Sequence, residues 1–170
     1  MKVPVADTPV AAAQASGPAN LLTRALAWLD AVPYTLLAVP LRLAVATVFW
    51  NSAMTKLANW DTALALFADE YKLPLLPPDL AAYLAVSIEL STPVLLVLGL
   101  LTRPAALVLL GMTSVIEIFV YPQAWPTHIQ WAAMLLVLLC RGAGKWSLDH
   151  WLRQCLMPSV AGSGGERRAR

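Results

Sequence analysis

Five ionisable side chains interrupt the long apolar runs of this sequence: Arg42, Lys56, Glu89, Glu117 and His128. Their types suit proton exchange and charge pairing. A carboxylate or an imidazole can take or give a proton. A nearby arginine or lysine compensates a carboxylate removed from water. Arg42 lies eight residues beyond Tyr34, and Glu89 nine beyond Leu80. At ~1.5 Å of rise per residue, those positions are about 12 Å and about 13–14 Å along their helices. Counted from opposite faces of a ~30 Å hydrocarbon layer, both fall near its middle. A charge there costs roughly 2.5–3.5 kcal/mol, so matching depth predicts an Arg42–Glu89 pair between two neighbouring helices. Pro93 has no amide hydrogen and deprives the Glu89 carbonyl of its helical donor. Ser91 and Thr92 stand beside that break with hydroxyls able to re-satisfy the backbone. Arg42, Glu89, Ser91 and Thr92 are therefore expected to form a polar pocket at membrane depth.

A second group lies toward the opposite end of these runs. Thr113, Ser114 and Glu117 draw one polar stripe along a helix. Glu117 falls about a turn from the end of its run, His128 near the start of the next, and Lys56 at the end of the first. Arg42, Ala46, Phe49, Ala53 and Lys56 follow helical spacing, so both cations face the same way. A polar interior is expected from Arg42 and Glu89 outward to Glu117, His128 and Lys56. Such groups can staple helices, a contact worth about 0.6 kcal/mol on average in one system. They can equally line a pocket for a small molecule, a quinone or a proton, and five of them exceed what stapling requires. His128 taken alone reads as an interfacial histidine without a ligand. The sequence has no catalytic triad, paired acids with a water site, Gly-rich phosphate loop or zinc spacing, so no catalytic residue and no metal ligand is assigned.

The elements that must position these side chains follow from composition. Hydrophobic residues make up 59% of the 170 and charged residues 13%, against roughly half and a quarter in soluble domains. About 20 apolar residues span a bilayer. Four runs approach that length, at about 34–55, 80–101, 104–121 and 127–141. The last is short and spans with help from its flanks or from local thinning. The tight connections force neighbouring helices to be antiparallel. The fold class expected is an all-α integral membrane protein, an antiparallel four-helix transmembrane bundle with a short N-terminal interfacial helix.

Residues 1–19 read as a disordered cytoplasmic tail, because Pro4 and Pro9 break any signal-peptide apolar core. Residues 20–33 read as an interfacial amphipathic helix. Asn20 is its expected N-cap, Leu21, Leu22, Ala25, Leu26 and Leu29 share one face, and Trp28 sits at headgroup level. The membrane domain covers 34–152 and a basic cytoplasmic tail 153–170. Between the first two spans, Asp61 is expected to cap a short helix carrying Leu64, Leu66, Phe67 and Tyr71, folded against the bundle mouth. Thr102 is expected to cap the third span, with Arg103 and Pro104 in its first turn.

Four spans put both termini on one side, with Lys2, Arg24, Arg103, Arg141, Lys145, Arg153, Arg167, Arg168 and Arg170. The other side has only Lys56 and Lys72, beside Asp61, Asp69, Glu70 and Asp79. The positive-inside rule places the termini in the cytoplasm and the chain in the inner membrane. The basic tail fits anionic lipid rather than nucleic acid. The partner implied is the lipid bilayer. Cys140 and Cys155 fall on the reducing side, with no CxxC, and read as ordinary small apolar residues.

Three stretches carry a family resemblance: LRLAVATVFWNSAMTKL (41–57), LAAYLAVSIELSTPVLLVLGLLTRPAAL (80–107) and GAGKWSLDHWL (142–152). Their arginine early in helix one, lysine at its end, glutamate in helix two, Gly-Leu-x-x-Arg turn and final Gly-x-x-Ser-Leu-Asp resemble the DoxX family of small four-span bacterial membrane proteins. The resemblance covers about residues 36–152. It departs where the family carries glycines in helix one and this chain has Ala46 and Ser52. The family takes its name from a subunit of a thiosulfate:quinone oxidoreductase, and other members look like membrane partners of redox or stress proteins. The resemblance implies an accessory subunit of a membrane redox or stress-response system, not an enzyme on its own. Its pocket would take a quinone or small ligand, and its partner would be a redox or metal-handling protein or a second copy. A small proton-coupled solute or metal transporter, and a structural assembly factor, are the alternative readings.

Overall fold

The computed structural model describes residues 18–156. The tails expected at 1–19 and 153–170 lie largely outside the described residues. Every regular element among the described residues is helical. Pro18–Asp30 forms α1, a unit of its own. Asn20, the expected cap, is inside that helix, and Leu21, Leu22, Leu26, Trp28 and Leu29 are all exposed.

The second unit starts at Tyr34. Helix α2 runs Tyr34–Ala58, α4 Pro78–Leu98, and α5 Thr102–Val115, the last continuing through a π-helical turn to Val120. These three helices are long and apolar enough to cross a membrane. Helix α6, Trp125–Arg141, is shorter, at 17 residues. Between α2 and α4 lies α3, Trp60–Leu66, followed by a π-helical turn at Phe67–Tyr71. Helix α7, Leu148–Leu156, closes the described chain and carries helix past the expected boundary at 152.

Each helix buries one stripe. Val45 and Phe49 of α2, Leu96 of α4, Leu109 of α5, and Leu135 and Leu138 of α6 meet in one core, each no more than 2% exposed. Much of the remaining apolar surface points outward, including Leu43, Leu84, Val97, Leu107, Ile118 and Leu136. A soluble domain would hide such side chains, whereas hydrocarbon solvates them at no cost. Proline appears at the N-terminal ends of α4 and α6, where its missing N–H is tolerated. Pro40 and Pro93 lie inside α2 and α4 without ending them.

The turn between α4 and α5 is tied to the C-terminal helix. Gly99 takes a left-handed φ of 65°, and the bonds Leu100 N–Leu95 O (2.9 Å) and Gly99 N–Leu96 O (3.1 Å) close a Schellman cap. Asp149 then accepts from the amides of Leu101 (2.8 Å) and Thr102 (3.0 Å), while its own N–H donates to the Gly99 carbonyl at 2.9 Å. The cap of α5 is thus a carboxylate from α7, not the Thr102 hydroxyl expected from sequence; that hydroxyl is buried without a partner. Similarly, α3 is capped by Asn59, whose side chain accepts from Thr62 N at 3.4 Å, and Asp61 lies in its first turn.

Candidate functional site: a Lys–Glu ion pair and a Glu–His pair around one cavity

The Glu89 carboxylate is 1% exposed, and its partner is Lys56. The ammonium donates to Oε1 at 2.9 Å and Oε2 at 2.8 Å, and to Ser52 Oγ at 2.6 Å. Ser52 in turn donates to Glu89 Oε1 at 2.9 Å. All three ammonium hydrogens and the serine hydrogen are therefore engaged. The result is a closed, neutral network on one face of α2 and α4.

The expected Arg42–Glu89 pair does not form. Arg42 is buried at 4% exposure at the other end of α2, donating from Nη2 to the Trp146 carbonyl at 2.9 Å. Its Nε and Nη1 have no hydrogen-bond partner, and its guanidinium lies against Gly99. The physical reason is the tilt of the Cα–Cβ bond toward the N-terminus of any α-helix. Helices α2 and α4 run in opposite directions, since Arg42 meets Gly99 while Lys56 meets Glu89. Lys56 on α2 and Glu89 on α4 therefore lean toward each other, whereas Arg42 leans away from Glu89. Depth counted along the axes omits that lean.

Ser91 and Thr92 also turn elsewhere. Ser91 Oγ donates to the Ser87 carbonyl at 2.7 Å and Thr92 Oγ1 to the Ile88 carbonyl at 2.6 Å, within their own helix. Thr113 and Ser114 do the same, to Leu109 and Leu110 at 2.8 Å each. Hydroxyls bonded back to the preceding turn offer little to a ligand.

Glu117 and His128 do meet. Their Oε2 and Nδ1 atoms are 2.6 Å apart, with His128 5% exposed. With Glu117 ionised and the ring neutral, Nδ1 donates in this contact and Nε2 is left as an acceptor. Trp131 stands against the same imidazole, ring centres 5.1 Å apart, and edge-on to Phe49 at 5.8 Å.

Lys56, Glu89, Ser52 and His128 line one cavity of about 580 Å³, together with Asn51, Thr55, Tyr71, Tyr121 and apolar side chains such as Phe49, Ile88, Met112 and Trp131. Arg42, Ser91, Thr92 and Glu117 are not among its lining residues. Sequence reasoning missed Ser52, whose signal was its i, i+4 spacing to Lys56. It expected Phe67 and Tyr71 against the bundle mouth, and missed that Tyr121 and Glu70 complete the roof of the cavity. There Tyr71 packs edge-on against Phe67 (4.7 Å) and Tyr121 (5.7 Å), and Tyr121 donates to Glu70 Oε1 at 2.6 Å. The Glu70 carboxylate holds the Tyr121 phenol proton and pushes its pKa well above the ordinary tyrosine value; burial raises that of Tyr71. Cys140 and Cys155 are free and exposed. Among the described residues, no three His, Cys, Asp or Glu side chains converge as metal ligands would.

Residues 37–122 match the model of the DoxX family. An uncharacterized protein of Haemophilus influenzae is 31% identical over 124 residues, which is 67% of this chain and 82% of that protein. No solved structure matches. The Lys56–Glu89 and Glu117–His128 pairs both fall within or beside the matched segment, and the chain belongs to the DoxX family.

Proposed function

We propose that this DoxX-family protein is an accessory subunit of a membrane redox or stress-response system, holding a quinone or similar small ligand in its intramembrane cavity. In this reading α2, α4, α5 and the shorter α6 form an antiparallel four-span bundle in the inner membrane, with both termini in the cytoplasm and α1 lying on the inner surface. The observation that carries the reading is one largely apolar cavity lined by the Lys56–Glu89 pair and by His128, which Glu117 holds from outside the lining. A flat ring fits between Phe49, Trp131 and the aliphatic wall of α4 and α5. The Nε2 of His128 would exchange a proton with a ring oxygen, and Glu117 would hold the imidazole in the required tautomer. Ser52, Lys56 and Glu89 would set the polar end of the cavity. Electrons would pass to or from a partner protein, since the lining side chains supply binding and proton exchange only.

The test is extraction in mild detergent followed by analysis of co-purified quinone. Wild type is expected to retain quinone in stoichiometric amount, and Glu89→Gln to lose most of it while remaining folded. Wild-type protein purified with its partners but without quinone would overturn the reading.

A further inference from the structure

Toward the segment that joins α2 to α4 the cavity is roofed by Phe67, Tyr71, Leu73 and Tyr121, with Leu76, 39% exposed, at its edge. Phe67, 4% exposed, lies beneath Tyr71, and the Tyr121–Glu70 hydrogen bond ties that segment to the end of α5. Trp60 against Tyr83, ring centres 4.8 Å apart, fastens α3 to α4. The sides differ. Helix α4 packs most closely along α2, and α5 along α6; α4 and α5 pack less closely and are joined by a tight turn at the end far from the roof, and α2 and α6 meet least, though no lining residue of α6 is exposed. Above that turn, the cavity-lining residues Leu84 of α4 (44% exposed) and Val108 and Val115 of α5 (44% and 40%) reach the outer surface of the protein. All three are apolar. The exposed lining residues of α2, Asn51 and Thr55, are polar.

We propose that the cavity is filled sideways from the hydrocarbon layer, through the gap between α4 and α5, by an uncharged, lipid-soluble, ring-bearing molecule. The proposal rests on the membrane-spanning pocket reading and adds the route and the chemical class of the ligand. The route follows from the apolar rim and the bonded roof. The absence of charge follows from the network inside, because every ammonium hydrogen of Lys56 is already engaged with Ser52 and Glu89. A charged ligand would have to break that network, and it would first have to cross hydrocarbon. The ring follows from the aromatic wall of Phe49 and Trp131. The Nε2 of His128, the ring nitrogen that Glu117 does not occupy, offers an acceptor to a neutral hydroxyl.

The full chain in lipid nanodiscs, carrying Cys140→Ser and Cys155→Ser, is labelled with a nitroxide at Ala85→Cys, a lining position on α4. Collisions are then read with oxygen, which partitions into hydrocarbon, and with a neutral aqueous nickel chelate. Oxygen collisions are expected to exceed nickel collisions several-fold. They should fall by half or more in Leu84→Trp, with Val108→Phe as the second variant should the first not fold. Tyr121→Phe, which frees the roof, should raise nickel collisions and leave oxygen unchanged. Nickel collisions as frequent as oxygen collisions in the unmodified roof would mean aqueous access and overturn the proposal. Scarce collisions with both would mean a sealed cavity and overturn it as well. Added decylubiquinone should suppress the oxygen signal, whereas an intact oxygen signal at saturating decylubiquinone would sink the quinone reading and leave the sideways route standing.

Discussion

At the scale of single residues, the buried acid is answered by a cation from the opposite end of its neighbour helix. Removing one member strands the other. Lys56→Met leaves Glu89, 1% exposed, without its ion-pair partner among the described residues, and breaking a buried pair this way costs about 3–5 kcal/mol. Replacing both by apolar residues of similar size is expected to recover most of that loss, because the network is self-contained. Arg42 supplies the contrast. It lies against Gly99 and Trp146 rather than Glu89, so an Arg42→Leu/Glu89→Leu cycle should show coupling no larger than about 0.5 kcal/mol, as for independent sites. Reversible unfolding in mixed detergent micelles measures both cycles. Strong Arg42–Glu89 coupling, or none between Lys56 and Glu89, would contradict the geometry. The residue types of the site were legible in the sequence, and so was the placing of Glu117 and His128 near facing ends of consecutive helices, though not their contact. The partner of Glu89 was not, because axial depth ignores the direction in which side chains lean.

At the scale of elements, the long helices could be placed from hydropathy alone. The expected span at 34–55 is α2 at Tyr34–Ala58, and 80–101 is α4 at Pro78–Leu98. The π-helical turns at Phe67–Tyr71 and Ile116–Val120 had no signal in the hydrophobic pattern, yet they carry Tyr71 and Glu117. Such turns re-aim side chains by one residue in the helical register, a frequent device near functional sites. The end of the Gly-x-x-Ser-Leu-Asp motif also acquires a reason. Asp149 caps α5 from outside, and Ser147 Oγ accepts from His150 N at 3.2 Å to start α7. Asp149→Ala removes two hydrogen bonds from a helix N-terminus and is expected to cost about 1–2 kcal/mol. It should also detach α7, read as faster hydrogen exchange at Leu101, Thr102 and the first turn of α7. Exchange that rises only in α7 would mean that the cap contributes nothing to α5.

At the scale of the whole molecule, charge is divided between the two ends of the long helices. Arg103 donates to the Cys140 carbonyl at 3.1 Å and Arg141 lies 4.8 Å over the Tyr34 ring, so both arginines stand at one end. Lys145 and Arg153 follow in sequence beyond Arg141. At the other end Lys56 is neutralised by Glu89, leaving Lys72 among Asp61, Asp69, Glu70 and Asp79. An excess of free cations at one end orients a membrane protein with that end in the cytoplasm. Cys155, free and exposed, reports on the orientation directly. In intact spheroplasts an impermeant maleimide should leave it unmodified and should label it once vesicles are inverted. Asp69→Cys, in a chain lacking Cys140 and Cys155, should behave in the opposite way. The outcome bears on chemistry as well as topology. Glu117 and His128 lie at the end of α5 and the start of α6 nearest the roof, so protons exchanged there would enter or leave from the outer side. Labelling of Cys155 in intact spheroplasts would turn the molecule over and place that proton exchange on the cytoplasmic side.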